Sequence, residues 1–244
     1  MTGTRWQERQ RQHFDQRVER YRSLYATDSP FHRRITDRLF ALARPTAGEE
    51  VLDLGCGWGR TTLPLLAAGC RVTGLDISSG TLDALSARVA DANASDRFTA
   101  ICLAAEELDV EQRFALAIGR GFLHHLEQPL PVLRRVHRAL KPGGLALFLD
   151  PNPLNPGWLP LHLLHPALSV RDEKYLWLQT GDRVRRLLQQ AGFVDVQLDY
   201  IGFVPASSAR FSRAIDDLEA RLGQLPLLRR LALYKIISGN VART

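Results

Sequence analysis

The chain has 244 residues, 45% hydrophobic and 24% charged, with a net charge of +6. That length supplies one substantial core, and the composition excludes fibrous, low-complexity and disordered classes. No apolar run approaches a transmembrane span, and the first nine residues, Met-Thr-Gly-Thr-Arg-Trp-Gln-Glu-Arg, lack the apolar core of a signal peptide.

Cys56, Cys70 and Cys102 are odd in number, sit in apolar contexts and lack metal-ligand spacing. They read as reduced core residues of a cytoplasmic protein with no metal site. The positive charge is uneven. Residues 1–44 carry ten Arg against five acids, residues 205–244 seven Lys or Arg against three, and the middle fifteen against eighteen. Basic flanks suit RNA or an anionic membrane surface, and they equally suit solvated helix faces.

In chain order, residues 5–25 read as a helix, with Phe14, Val18, Tyr21 and Tyr25 on one face. Ser29-Pro30 breaks it, and Phe31 to Ala43 forms a second helix before Pro45. Residues 1–44 are thus a helical cap ahead of a domain spanning 45–244. Val51 to Leu54 reads as a buried strand. Gly55, Gly57 and Gly59 then turn the backbone and remove side chains where a ligand approaches the main chain. Arg60 to Ala68 reads as a helix whose free N–H groups face the same crevice. Such a loop holds a nucleoside cofactor. A dinucleotide loop needs G-x-G-x-x-G, whereas the spacing here is G-x-G-x-G, Arg60 stands where the last glycine would fall, and Asp53 puts an acid inside the strand.

Asp-Leu-Gly-Cys-Gly-Trp-Gly, residues 53–59, resembles the glycine-rich motif of class I S-adenosylmethionine-dependent methyltransferases. The likeness extends over roughly residues 45–201. It implies an α/β, Rossmann-like doubly wound fold with a mostly parallel seven-stranded sheet, and S-adenosyl-L-methionine as cofactor. Asp53, Gly55, Cys56 and Gly57 would line the cofactor loop. The helical preface is similar to the segment that caps the family's cleft. There an aromatic residue reaches the methionine end of the cofactor; Tyr21 or Tyr25 would do so here, with core packing as the alternative.

Arg71 to Asp76 reads as a second strand ending in a carboxylate, placed to accept hydrogen bonds from both ribose hydroxyls. Ile77 follows where the family sets an apolar side chain against adenine. Ser79 to Ala92 is an amphipathic helix, and Phe98 to Leu103 a third strand. The family then often reads Gly-Asp-Ala-Glu-Asp-Leu, its first Asp contacting adenine. Ala104 occupies that position, which leaves adenine to the Ala105 backbone and Glu106. Phe114 to Gly119 is the fourth strand, in which Ala115 replaces another family Asp. Gly119 opens the loop at its carboxyl end, and Leu-His-His-Leu at 123–126 matches a frequent family pattern.

A helix carrying Leu130, Leu133, Val136 and Leu140 stops at Lys-Pro-Gly-Gly, residues 141–144, and Leu145 to Leu149 forms the fifth strand. Three prolines then stiffen residues 150–156 and present Asp150, Asn152 and Asn155. Residues 157–178 look like an apolar insertion carrying Trp158, Tyr175 and Trp177. Thr180 to Ala191 is a helix, Val194 to Tyr200 a sixth strand, 207–234 helical, and Ile236 to Ala242 a seventh strand hairpinned against the sixth. Lid insertions at about 151–178 and 205–234 would choose the substrate, with Asn152 and Trp158 as acceptor contacts.

The family cofactor carries an electrophilic methyl carbon, so the enzyme's task is to align a nucleophile with the methyl–sulfur bond. For a hydroxyl acceptor, a general base contributes about 10²–10⁴-fold. His124 and His125 hold that position, with a purely structural turn as the alternative. Adjacent on a regular backbone, their side chains diverge, which argues against a metal pair. His162 and His165 are substitutes within the insertion. The leading reading is O- or C-methylation of a small, rather apolar acceptor such as a quinone, phenol, polyketide or lipid-like intermediate. An RNA or protein methyltransferase is the runner-up on charge, against which stands the lack of a nucleic-acid module. A non-catalytic cofactor-binding protein is the third, kept open by Ala104 and Ala115. The stripe through 207–237 reads as a lid, while Arg229, Arg230 and Lys235 allow peripheral membrane contact.

Overall fold

The computed structural model describes residues 5–16, 30–158, 175–203, 221, 222, 225 and 228–243. Its seven strands are β1 (Glu50–Leu54), β2 (Arg71–Asp76), β3 (Phe98–Cys102), β4 (Phe114–Arg120), β5 (Leu140–Pro151), β6 (Val194–Ile201) and β7 (Tyr234–Asn240). They form one sheet in the order β3-β2-β1-β4-β5-β7-β6. β1 to β5 run parallel, and β7 is antiparallel to both β5 and β6. The chain winds outward from β1 to β3, returns beside β1 as β4 and winds the other way, so a crevice opens at the carboxyl ends of β1 and β4.

The described helices are α1 (Arg5–Asp15), α2 (Pro30–Ala43), α3 (Thr62–Ala67), α4 (Ser79–Asp91), α5 (Pro129–Ala139) and α6 (Gly181–Ala191). Period-two alternation along buried strands feeds two cores. Leu52, Leu54 and Phe148 face Val132, Leu133 and Val136 of α5 and Leu188 of α6. Val51, Ile118 and Leu147 face Ile35 and Leu39 of α2, Leu65 of α3 and Leu85 of α4. Side-chain caps start two of these helices: Ser78 accepts from the Thr81 N–H and Thr180 from the Arg183 N–H. Gly192, at φ 107°, ends α6 in the left-handed conformation.

Several expectations are corrected. α3 begins at Thr62 rather than Arg60. β5 starts at Leu140, because Lys141 to Gly144 stay in the sheet through an irregularity against β4 instead of forming a separate turn. β7 begins at Tyr234 and lies between β5 and β6, not only beside β6. Cys56 and Cys70 are buried, but Cys102 is exposed, since β3 is the sheet edge. α1 ends at Asp15, and the rest of the expected first helix, with Tyr21 and Tyr25, lies outside the described residues. So do His162, His165 and most of both lid insertions. Among the described residues, no helix is long and apolar enough to cross a membrane.

Candidate active site

A cavity of about 440 Å³ opens at the strand-order reversal, within the usual range for small-molecule sites. One wall is the glycine loop. The Gly55 and Cys56 N–H groups both donate to the Leu75 carbonyl, at 2.8 and 3.1 Å, and so pin the loop to β2. Gly57, at φ 48°, donates its N–H to Asp76 Oδ2 at 2.9 Å, and a Cβ there would meet nothing nearer than the Gly55 carbonyl at 3.8 Å. Gly57 is therefore the open position of the loop. Gly59 differs: a Cβ there would overlap Leu85 Cδ1, so this glycine serves packing on α4 and not ligand approach.

Asp76 ends β2 with each carboxylate oxygen holding one backbone donor, Gly57 N–H on Oδ2 and Ser78 N–H on Oδ1 at 3.0 Å. A carboxylate accepts about four hydrogen bonds, so capacity for two hydroxyls is left. Burial raises its pKa, against the pull of the Ser78 and Gly57 N–H groups. Ile77, Ala105 and Glu106 share this end of the cavity wall, with Ala104 beside them. Asp53 lies deeper, 1% exposed, and its Oδ2 accepts the Thr62 hydroxyl at 2.6 Å. Burial pushes its carboxyl up to about 7, and the neighbouring Asp76 adds to the shift.

The opposite wall is the turn Leu123–His125 after β4. His124 is buried and its Nδ1 lies 2.5 Å from Asp150 Oδ1. The N–H groups of Leu123 and His124 also donate to the two Asp150 oxygens, each at 3.3 Å. Burial alone would push the Asp150 carboxyl up, but the hydrogen bond from His124, with the Lys235 charge behind, holds it below its ordinary value. His124 Nδ1 is thus committed to Asp150.

His125 is a weak base. Burial, aided by His124, lowers its pKa well below the ordinary value, and its Nδ1 is buried without a hydrogen-bond partner among the described residues. The two rings do not diverge as expected: in this tight turn their centroids are 4.0 Å apart, inclined at 41°. Among the described residues no group of three His, Cys, Asp or Glu is placed to hold a metal ion.

α1 closes the cavity from above. Trp6 Nε1 donates to the His125 carbonyl at 2.7 Å, and its ring meets Tyr175 edge-on at 4.9 Å. Phe14 meets the His125 ring edge-on at 5.3 Å. At the β2 end, Arg11 Nε donates to the Ile77 carbonyl at 3.3 Å, and the Ser78 hydroxyl to Asp15 at 2.5 Å. The aromatic residues on the cavity wall from this helix are thus Trp6 and Phe14. The sequence placed Phe14 on the helix's apolar face but assigned neither residue to the site, because a helix face alone does not say which part of a long helix meets the turn.

Trp158 is on the wall and donates its Nε1 to the Leu233 carbonyl at 3.1 Å. Asn152 and Gly119 are not with the wall residues. Asn152 is fully buried, and its amide donates to the Arg230 and Ala232 carbonyls at 2.7 and 2.9 Å, bracing the strand end. A Cβ at Gly119 would fall 2.9 Å from Phe148 Cδ1, so it serves sheet packing. Its neighbour Arg120 reaches the wall instead, with Arg60 and His32. Burial and these two guanidiniums lower the His32 pKa to about 4. A lone Arg between Gly119 and Gly121, at a strand's carboxyl end, was the sequence signal for this cationic corner.

A seven-stranded, mostly parallel, doubly wound sheet with its glycine loop at the strand-order reversal is the Rossmann-like fold of class I methyltransferases. The chain belongs to the S-adenosylmethionine-dependent methyltransferase family: the family's model, a methyltransferase domain, matches residues 20–198. The ubiquinone biosynthesis O-methyltransferase of Ruegeria pomeroyi is 31% identical over 179 residues, covering 69% of this chain and 68% of that one. The 27-O-demethylrifamycin SV methyltransferase of Amycolatopsis mediterranei is 34% identical over 126 residues, 49% of this chain and 46% of that one. In fold, the chain is similar to a methyltransferase from Thermotoga maritima described as a possible histamine N-methyltransferase. The TM-score is 0.66 at 16% identity, over 94% and 98% of the two chains. The protein is a methyltransferase that uses S-adenosyl-L-methionine.

Proposed function

We propose that the enzyme methylates an oxygen of a small, largely apolar acceptor, with His124 as general base oriented by Asp150. The observation that carries this reading is His124 on the cavity wall, held from behind by the buried Asp150, with the aromatic side chains of Trp6, Phe14, Trp158 and Tyr234 on the same wall. A base so held suits a hydroxyl, whose proton must leave as the carbon–oxygen bond forms. Amine or RNA acceptors have no such observation in their favour, and O-methyltransferases stand among the relatives.

The wall residues fit the cofactor: a cradle at Gly57 that a side chain would narrow, and a carboxylate, Asp76, with two acceptor sites left. The cofactor, when bound, supplies an electrophilic methyl carbon on sulfonium sulfur. Asp76 would accept the ribose hydroxyls, with Ile77, Ala105 and Glu106 on the adenine side and Asp53, Gly55, Cys56 and Gly57 forming the loop. His124 takes the acceptor's proton at Nε2. Asp150 holds the ring by Nδ1–H and stabilises the imidazolium that results. Trp6 and Phe14, packed on the histidine turn, exclude water. Residues 1–44 act as the cap, and the segments near 151–178 and 205–234 as specificity lids. Trp158 contacts the acceptor, and Tyr21 or Tyr25 would join it from the cap.

Methyl-labelled cofactor incubated with the enzyme and a boiled cell extract tests the acceptor class. Label is expected in the solvent-extractable small molecules. Label confined to added RNA or protein would overturn the reading.

A further inference from the structure

Lysine is among the residues least often buried, because its ammonium is costly to take out of water unless it is paired. Lys235 is 1% exposed and ranks among the largest fully buried side chains of the protein. It sits on β7, not on the surface helix where its place in a basic run suggested a membrane-facing cation. In the antiparallel β5–β7 ladder Lys235 is the direct partner of Asp150, and Tyr234 that of Pro151. The Lys235 ammonium donates to the Pro151 carbonyl at 2.5 Å. It is absent from the cavity wall, so it touches neither cofactor nor acceptor space.

Leucine or methionine would fill the same volume without desolvating a charge. What the ammonium adds is electrostatic. With His124 neutral, the buried His124–Asp150 pair carries one negative charge. An unopposed buried carboxylate draws a proton onto its histidine, and a histidine already protonated cannot act as a base. A cation behind Asp150 offsets that charge, so the imidazole stays neutral until the reaction supplies a proton.

We propose that Lys235 is a positioning residue of this site, its buried ammonium balancing Asp150 so that His124 enters the reaction neutral, with its Nδ1 proton on Asp150. The inference rests on the reading of His124 as base. Among the described residues, Asp150 from β5 and His125 in the same turn meet the His124 ring, Lys235 from β7 acts on Asp150, and His13 from α1 acts on His125. The turn Leu176–Leu178, packed on the histidine turn, carries no titratable side chain. Burial lowers the Lys235 pKa to about 8, with Asp150 opposing, so the balancing charge itself titrates just above neutrality.

The test is an NMR titration of the His124 imidazole in the full-length protein without acceptor, assigned by loss of its signals in His124→Gln. In the wild type, the His124 resonances should show a second inflection near pH 8, as Lys235 loses its proton. In Lys235→Met the midpoint of His124 should move up and the second inflection vanish, and Lys235→Arg should keep the midpoint near its wild-type position. A wild-type titration with no second inflection overturns the proposal whether or not Lys235→Met folds. So does an unmoved or lowered His124 midpoint in a folded Lys235→Met. Because nothing turns over in this experiment, its failure leaves the base reading standing, and retained turnover in a His124 variant would remove the base while leaving the coupling intact.

Discussion

His124→Ala lowers kcat by about 10²–10⁴-fold and leaves affinity for the cofactor near that of the wild type. The loss is expected in kcat because the proton moves only in the transition state, so ground-state binding does not depend on the imidazole. Asp150→Asn should fall comparably. An amide presents an N–H as readily as a carbonyl to Nδ1, and it offers the imidazolium no counter-charge, so ring orientation and stabilisation both suffer. His125→Ala should lose far less, since His125 has no carboxylate behind it. Single-turnover rates from pH 6 to 9 check all three variants. Wild-type turnover in a folded His124→Ala would place the base elsewhere or make catalysis a matter of alignment alone.

The second large effect is on stability. The Asp53 carboxyl is raised to about 7 in the fold, from an ordinary value of 3.8, chiefly by burial. The folded protein thus binds this proton more tightly than the unfolded chain does. The associated stability is fully present below about pH 4 and is lost as pH rises through about 7, by up to about 4 kcal/mol. Asp53→Asn keeps an acceptor for the Thr62 hydroxyl and removes the buried ionisation. The variant should therefore be more stable than the wild type at pH 8, with the difference shrinking towards pH 4. Urea unfolding at several pH values measures it. A variant less stable than the wild type at pH 8 would show that Asp53 is ionised and satisfied in the fold.

Much of the fold was legible because its signals are local. Buried strands alternate with helices of clear period, Ser78 and Thr180 announce helix starts, and the glycine spacing marks the first crossover. The meeting of Asp76 with the glycine loop was readable for the same reason: a strand tip and the preceding loop come together at the crevice of a doubly wound sheet. The partners of His124 were not. Asp150 is 26 residues away and Lys235 lies on a strand inserted between β5 and β6, so only the sheet register brings them together. Arg229 and Arg230 do stay exposed, but Lys235, in the same basic run, is buried. Composition cannot distinguish them, because a basic residue next to an apolar run suits a helix flank and a central strand alike. Gly59 and Gly119 read as ligand positions, yet their missing Cβ atoms make room for Leu85 and for Phe148. Asn152 read as a presented polar group, but its amide braces two backbone carbonyls.

The most direct measurement is a crystal structure of the protein with S-adenosyl-L-homocysteine, the demethylated cofactor. Both ribose hydroxyls are expected on the Asp76 carboxylate, adenine against Ile77 and Ala105, and the sulfur turned towards the space bounded by His124 and Trp158. A ligand whose ribose does not touch Asp76, or whose sulfur faces away from His124, would contradict this assignment.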